Sequence, residues 1–282
     1  MAVRFIIDSA SDIMPDEAAA LGMTHLPLRV NFDDVEYRDS VDLTHREFYM
    51  KLVESDVLPR TSQIPPADYT EACESIIAAG DTPIVITLSS KLSGTYQSAM
   101  IAAAECSGDV YVVDSENVAI GERILIERGL ELAAQGLSAQ EIVDTLNAEK
   151  KKIRIMALVD TLEYLKKGGR ISPAVAMVGG VLSIKPVIAI VNGEVEVIGK
   201  ARGSKKANNL LRELVEKSGG INFDKPFALA YSGLSDELLK KYAEDSAELY
   251  ADYSGELPVH TIGCAIGTHA GPGAVAVAFF EK

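Results

Sequence analysis

The sequence predicts an α/β protein in two parts. An N-terminal α/β/α domain with a parallel sheet spans residues 1–150, and a C-terminal α/β domain with a mixed sheet spans 151–282. Three observations carry this. Ile84–Leu88 is apolar without alternation, as a parallel strand covered on both faces requires. In the first half, short β-rich runs alternate with longer amphipathic ones, the pattern of helices layered on a parallel sheet. In the second half, Asn192-Gly193 joins two β-rich runs as a hairpin turn, which mixes antiparallel pairing into the sheet.

The elements follow in order. Val3–Asp8 reads as the first strand, ended by the polar cluster Ser9-Ala10-Ser11-Asp12, and Pro15 suits the first turn of a helix. Thr24–Val30 reads as a second strand, with a short return at Val35–Tyr37 after the Asp33-Asp34 turn. Thr44 and Glu47 form a capping box for a helix to about Val53. A helix starts at Pro65-Pro66. Ile84–Leu88 is followed by a helix from about Gly94 to Glu105, with Ser93 as its N-cap. Val110–Asp114 is a strand, and helices run near Val118–Gln135 and Ala139–Lys151. Ile155–Val159, Ile184–Ile190 and Glu194–Gly199 are strands, then come a helix over Ser204–Lys217, strand Phe227–Tyr231 and helix Asp236–Leu249. Strand Val259–Ile262, a glycine-rich turn and strand Ala274–Phe280 close the chain.

Composition narrows the function. At 48% hydrophobic and 24% charged residues, the chain has the balance of a globule with a real core. With 27 Lys and Arg against 41 Asp and Glu, its net charge of −14 opposes phosphate backbones and anionic headgroups. No nucleic-acid partner and no stable membrane insertion are expected. The longest apolar stretch, Leu182–Val191, is short of a spanning helix and is interrupted by Lys185 and Pro186. Met1–Asp8 reads as a strand and not as a signal peptide. Cys73, Cys106 and Cys264 lie far apart with no Cys-x-x-Cys, which fits a reducing cytoplasm. His25, His45, His260 and His269 lack ligand spacing, so no metal is expected. Phosphate loops, a complete dinucleotide fingerprint, a nucleophile elbow and zincin motifs are all missing.

Polar residues gather instead in four loops at expected strand ends, where open α/β sheets build ligand sites. Arg60-Thr61-Ser62-Gln63 precedes a helix start, where hydroxyls either cap the helix or cradle an anion. Leu88-Ser89-Ser90-Lys91-Leu92-Ser93-Gly94-Thr95 carries more hydroxyls than a cap needs. Lys166-Lys167-Gly168-Gly169-Arg170-Ile171-Ser172 leaves Arg170 on a glycine-shaped turn. Gly267–Gly273 holds His269, read as placed to titrate near neutrality. Together they describe either a small anion site, with hydroxyl and cationic donors sharing the load, or a nucleophile and base in Ser93 and His269. A further basic cluster, Lys200–Lys206, opposes the dipole of the helix it starts.

At these residues the sequence resembles the DegV family of bacterial lipid-binding proteins. The resemblance rests on Ile7–Asp12, Thr61-Ser62-Gln63, Leu88–Thr95, Val113-Asp114-Ser115, Lys167–Ser172, Lys185-Pro186 and His269–Gly273, in the family's order. It implies a DegV-like fold with one long-chain fatty acid as ligand and no other cofactor. Thr61 and Ser93 would bind the carboxylate, with His269 and Arg170 nearby and Ser62, Gln63, Gly94 and Thr95 supporting the loops. It further implies a binding subunit without catalytic residues of its own, which presents the acid to a separate ATP-dependent fatty acid kinase subunit. That subunit would form an acyl phosphate for phospholipid synthesis. Arg202, with Lys205 beside it, would dock the kinase. The Ala/Val/Ile-rich stretch Ala174–Leu182 is expected to line an acyl tunnel. Two residues depart from the family pattern: Ile64 stands where proline usually follows the tripeptide, and Ala276 where glycine is frequent. Two other readings remain at this level, a hydrolase or acyltransferase using Ser93 and His269, and a regulatory module for a small carboxylate.

Overall fold

The structure, a computed structural model, describes residues 2–55, 57–172 and 184–282. The expected tunnel segment Ala174–Leu182 lies outside the described residues.

The first half builds a parallel sheet in the order β2-β1-β6-β7. Its strands are β1 (Val3–Asp8), β2 (Thr24–Leu26), β6 (Thr82–Thr87) and β7 (Tyr111–Asp114). The inner strand β6 is buried along nearly its whole length, as its unbroken apolar run requires. Helices α3 (Pro66–Ala78), α4 (Thr95–Glu105), α5 (Ile120–Ala134) and α6 (Ala139–Glu149) pack around this sheet. The capping box at Thr44 and Glu47 starts α2 (His45–Glu54) as expected, following the short α1 (Pro15–Ala20).

The second half builds a six-stranded mixed sheet in the order β10-β9-β8-β13-β11-β12. Its strands are β8 (Ile153–Leu158), β9 (Ile184–Val191), β10 (Glu194–Arg202), β11 (Phe227–Tyr231), β12 (Val259–Thr261) and β13 (Val275–Phe280). The Asn192-Gly193 turn pairs β9 with β10. Only β11 and β12 run parallel. After the short α7 (Glu163–Lys167), helices α8 (Ser204–Lys217) and α9 (Glu237–Asp245) cover one face through Leu211, Val215, Leu239 and Tyr242. The other face packs toward the first half, with Ile155 and Ala276 in one core cluster with Phe5, Ile84 and Ile124.

Four expectations are corrected. Thr24–Val30 is two strands in two sheets. Pro27 separates β2 from β3 (Arg29–Phe32), which joins β4 (Val35–Arg38) and β5 (Arg60–Ser62) in a small antiparallel sheet. The loop expected at Arg60–Gln63 is therefore largely a strand, and neither Thr61 nor Ser62 caps α3, whose N-cap is Pro65. The helix expected over Asp236–Leu249 ends at Asp245 and continues as a short 3-10 turn. Most consequential is the glycine-rich segment before β13: it contains a helix, α10 (Cys264–Ala270), and His269 sits in its last turn.

Candidate functional site

The two sheets and the small one enclose an apolar cleft with about 920 Å³ of atom-free space, counted to its mouth. Its floor is the inner face of the six-stranded sheet. Cross-strand register places Ile188, Ala157, Ala276 and Ala230 in one row, and Ile155, Ala278 and Ala228 in the next. Along β13, alanines face the cleft side while Val275, Val277 and Phe279 face α8 and α9. Side chains alternate across a strand. The run Ala274-Val275-Ala276-Val277-Ala278-Phe279 therefore leaves room on one face and fills the other. This small/large alternation is the signal in the sequence that the loop-centred reading missed. Ala276, one of the two departures from the family pattern, lies on this floor with 1% exposure.

The polar residues collect at one end. Thr61, Ser93, Arg170 and His269 all line the cleft, as do Ser62 and Gln63. Thr61 projects from edge strand β5, paired opposite Val30. Its Oγ1 lies 2.9 Å from His269 Nε2. Ile64, the other departure, is fully buried and anchors the end of this strand in the core.

The N-cap of α4 is Gly94 and not Ser93, because the helix begins at Thr95. Ser93 Oγ accepts from Thr95 N at 3.3 Å and lies 2.9 Å from Thr95 Oγ1. Gln63 Nε2 donates to Ser98 Oγ at 2.8 Å, tying the Thr61 strand to α4. A Cβ at Gly94 would lie 1.9 Å from Gln63 Oε1, so any larger residue there would push the Gln63 amide from its place beside Ser98. Ser62 is exposed and within 3.4 Å of Asn31 Nδ2.

Arg170 is held by its own loop and the serine loop. Its Nε donates to the Leu92 carbonyl at 3.2 Å and its Nη1 to the Gly168 carbonyl at 2.7 Å. Gly168 also makes room for the imidazole, since a Cβ there would meet His269 Nδ1 at 2.2 Å. Neither Arg202 nor Lys205 lines the cleft. Arg202 is the exposed last residue of β10, whose other end meets the hairpin turn. That turn is fixed to the serine loop by Ser89 Oγ donating to the Gly193 carbonyl at 2.7 Å.

Behind the site lies a set of buried carboxyls, of which the sequence reading noted only Asp8, as a strand end, and Asp12, in the polar cluster that follows it. Asp8 accepts from Leu88 N at 2.9 Å, bracing the serine loop. Asp12 accepts from Gly263 N at 2.8 Å. Asp39 accepts from Cys264 N and Ala265 N at 3.2 and 3.1 Å. It also accepts from Ser9 Oγ at 3.0 Å. Helix α10 has no side-chain cap of its own, so Asp39 caps it from across the fold. Burial pushes Asp8 up to about 7 and holds Glu122, which lies beside it, well above the usual carboxylate range. Ala119, on the cleft wall, is held at φ 52°, a strained backbone for a residue with a Cβ.

His269 does not titrate near neutrality. Burial, with Arg170 nearby, lowers it to about 3. The neutral ring can donate from Nε2 to Thr61 Oγ1, which frees the threonine hydrogen for a ligand in the cleft. Nδ1 is buried without a partner, a smaller cost for a lone pair than for an N–H. In ligand-free protein the His269 imidazole resonances are expected to stay constant from pH 5 to pH 8. A transition near 6.5 would contradict this. The stability carried by the neutral ring is full above about 6.5, the unfolded value, and is lost as pH falls towards about 3. Asp8 works the other way, costing stability as pH rises from its ordinary 3.8 to about 7.

This geometry does not form a nucleophile–base pair on Ser93. The imidazole is bonded to Thr61, the serine to Thr95, and no described carboxylate orients Nδ1. A base of such low proton affinity also activates a hydroxyl poorly at neutral pH. Among the described residues, no group of three or more His, Cys, Asp or Glu could hold a metal ion. Nor is any helix among them long and apolar enough to cross a membrane.

Comparison with known proteins adds the following. The model of the family described as "Uncharacterised protein, DegV family" matches residues 2–282. A DegV domain-containing protein of Caldanaerobacter subterraneus is 36% identical over 287 residues, covering 99% of each chain. A solved DegV family structure from Thermus thermophilus, described by its fatty acid binding, superposes with a TM-score of 0.87 at 32% identity over the full length of both chains. A stearic acid-binding protein of Eubacterium ventriosum superposes with a TM-score of 0.89 at 26% identity, over 100% of this chain and 99% of that one.

Proposed function

The chain belongs to the DegV family, and from that premise we propose that it binds one long-chain fatty acid and presents its carboxylate to an ATP-dependent kinase subunit. The observation that carries the binding half is the pairing of an alanine-floored apolar cleft with a single polar end. An acyl chain gains about 0.8 kcal/mol per buried methylene, so the tail supplies affinity. Thr61 and Ser93 donate to the carboxylate, Arg170 supplies charge, and neutral His269 orients Thr61. Gln63, Gly94 and Thr95 hold the two loops at the right separation. The fatty-acid-binding relatives from Thermus thermophilus and Eubacterium ventriosum support this reading. It assigns the chain no catalytic residue. Acyl-phosphate formation falls to the kinase, with Arg202 and Lys205 as the docking cations, a role that stands on the family resemblance and on their exposure.

Native mass spectrometry of protein purified from cells tests the ligand class: a bound mass matching a long-chain acid is expected, and lasting failure to load one would end the proposal. Thr61→Ala and Ser93→Ala are each expected to weaken binding by about 1–3 kcal/mol, the cost of an under-bonded buried carboxylate. Calorimetry showing wild-type affinity in both variants would remove the head-group assignment. Arg202→Ala is expected to slow acyl-phosphate formation by a fatty acid kinase with ATP at unchanged lipid affinity. Equal loss of lipid affinity would contradict a docking role.

A further inference from the structure

Asp8 ends strand β1 fully buried, and both its oxygens hold backbone amides. Oδ1 accepts from Ala10 N and Oδ2 from Leu88 N, each at 2.9 Å. The second bond bears on the cleft. Leu88 follows β6, opens the loop that carries Ser93, and lines the cleft itself. Glu122 stands in the first turn of α5, also fully buried, with its carboxyl against that of Asp8. Among the described residues neither Glu122 oxygen receives a hydrogen bond. The other buried carboxyls are not so bare. Asp12 holds Gly263 N, and Asp39 holds the Ser9 and Ser40 hydroxyls and the Cys264 and Ala265 amides.

The surroundings supply no charge to offset a second carboxylate. Asp12, Asp39 and Asp114 add further acids around the pair. Tyr69 of α3 lies near both carboxyls, with a hydroxyl that is itself buried and unpartnered. Thr87, one step on from the Ile7–Ile86 pair and so alongside Asp8, is likewise buried without a partner. Arg123, the next residue along α5, is taken up by Glu17 and Glu127. An ionised Glu122 would be a buried charge with no donor, facing a carboxylate that two amides hold in place. A protonated Glu122 has one O–H to give, and an Asp8 oxygen has a lone pair to spare beside its amide bond. The single charge then left on the pair sits at the first turn of α5, where the helix dipole favours it.

We infer that Glu122 is a positioning residue for the serine loop: it keeps its proton through the neutral range and donates it to Asp8, which holds the Asp8 carboxylate ionised and in place on Leu88 N. Without that donor Asp8, buried as it is, takes up a proton itself. Its bond to Leu88 N then loses the assistance of charge and the loop loosens. The consequence for ligand affinity rests on the reading of the cleft as a fatty-acid site.

Two variants separate donation from bulk. Glu122→Gln keeps an N–H donor towards Asp8, and Glu122→Met keeps only the volume. Affinity for hexadecanoic acid is followed by titration calorimetry on delipidated protein from about pH 6 to about pH 9.5. Comparison of the three proteins at each pH removes the ligand's own titration. The ionised form of Asp8 holds the loop, so affinity is expected to fall towards acid pH. The midpoint should be no higher in Glu122→Gln than in wild type and should move up in Glu122→Met. At about pH 7.5 the methionine variant is then expected to bind on the order of tenfold more weakly than wild type, and to recover at about pH 9.5. A packing defect is not repaired by raising the pH. Difference infrared spectra, wild type minus Glu122→Gln, should show the carbonyl stretch of a protonated carboxyl at about pH 8. Should the methionine variant not fold, Glu122→Leu takes its place.

Equal pH profiles for the glutamine and methionine variants would overturn the inference, as would a weakness of the methionine variant that persists at alkaline pH. Absence of the infrared band would overturn it too, since Glu122 would then be ionised. Failure of the wild type to bind hexadecanoic acid would remove the fatty-acid reading instead. The infrared band and the urea midpoints of the three proteins against pH would still decide the role of Glu122 in that case.

Discussion

Ala157→Phe is expected to abolish binding of a sixteen-carbon acid while leaving the protein folded. Ala157 lies at the middle of the cleft floor, between Ile188 on β9 and Ala276 on β13. Its side chain is only half-buried and lines the cleft, so a ring there grows into the cleft and not into packed core. If it bars the inner half of the chain, about eight methylenes lose their contacts. At about 0.8 kcal/mol each this is about 6 kcal/mol, or on the order of 10⁴-fold in affinity. An eight-carbon acid should lose far less, because its chain ends before the obstruction. Circular dichroism shows whether the variant folds, and Ala157→Leu offers a milder block should it not. A folded Ala157→Phe with unchanged affinity for hexadecanoic acid would mean that the chain does not run along this floor.

Asp39→Ala is expected to cost about 4 kcal/mol of folding stability. Asp39 is 1% exposed and accepts from Ser9 and Ser40 hydroxyls and from the Cys264 and Ala265 amides. Removing the carboxylate leaves buried donors unpaired, at about 1–3 kcal/mol each before relaxation. Urea unfolding should show a lower midpoint at unchanged slope. Ligand affinity should fall as well, because the helix that Asp39 caps carries His269 to Thr61. A midpoint within about 0.5 kcal/mol of wild type, the range of an ordinary surface substitution, would contradict this role.

The contrast between α2 and α10 explains why part of the site was legible and part was not. Helix α2 carries its start signal within four residues, as Thr44 and Glu47 satisfy each other's backbone. Helix α10 carries none. Its residues include Gly267, Thr268 and His269, which are indifferent helix formers, and glycines flank it on both sides. Its cap comes from Asp39, 225 residues earlier, and Tyr49 Oη secures the preceding strand end by donating to the Ile262 carbonyl at 2.9 Å. No local pattern announces a helix whose stabilising partners lie at such separation.

The same distinction holds for His269. Its residue type suggested a group titrating near neutrality, and its burial decided otherwise. Protonation follows solvation and neighbours, and these are properties of the packed state. Thr61, Ser93, Arg170 and His269 could be picked out as chemistry-bearing residues in loop-like contexts. That they line one cleft depends on a small sheet, a serine loop, a basic loop and a helix meeting from four parts of the chain.

By itself, the sequence determined the elements whose causes are local. These are the unbroken β6 strand, the capped α2, the α6 helix, the Asn192-Gly193 hairpin and the α8 helix, together with the acidic balance that disfavours nucleic acid. Such features depend on periodicity, caps and turn residues acting over a few positions. The tertiary structure alone decided which alanines floor the cleft, which threonine the imidazole holds and how the buried carboxyls brace the site. Those outcomes depend on burial and on hydrogen bonds between residues up to 251 positions apart, and a contact at that range leaves no trace in either partner's neighbours along the chain.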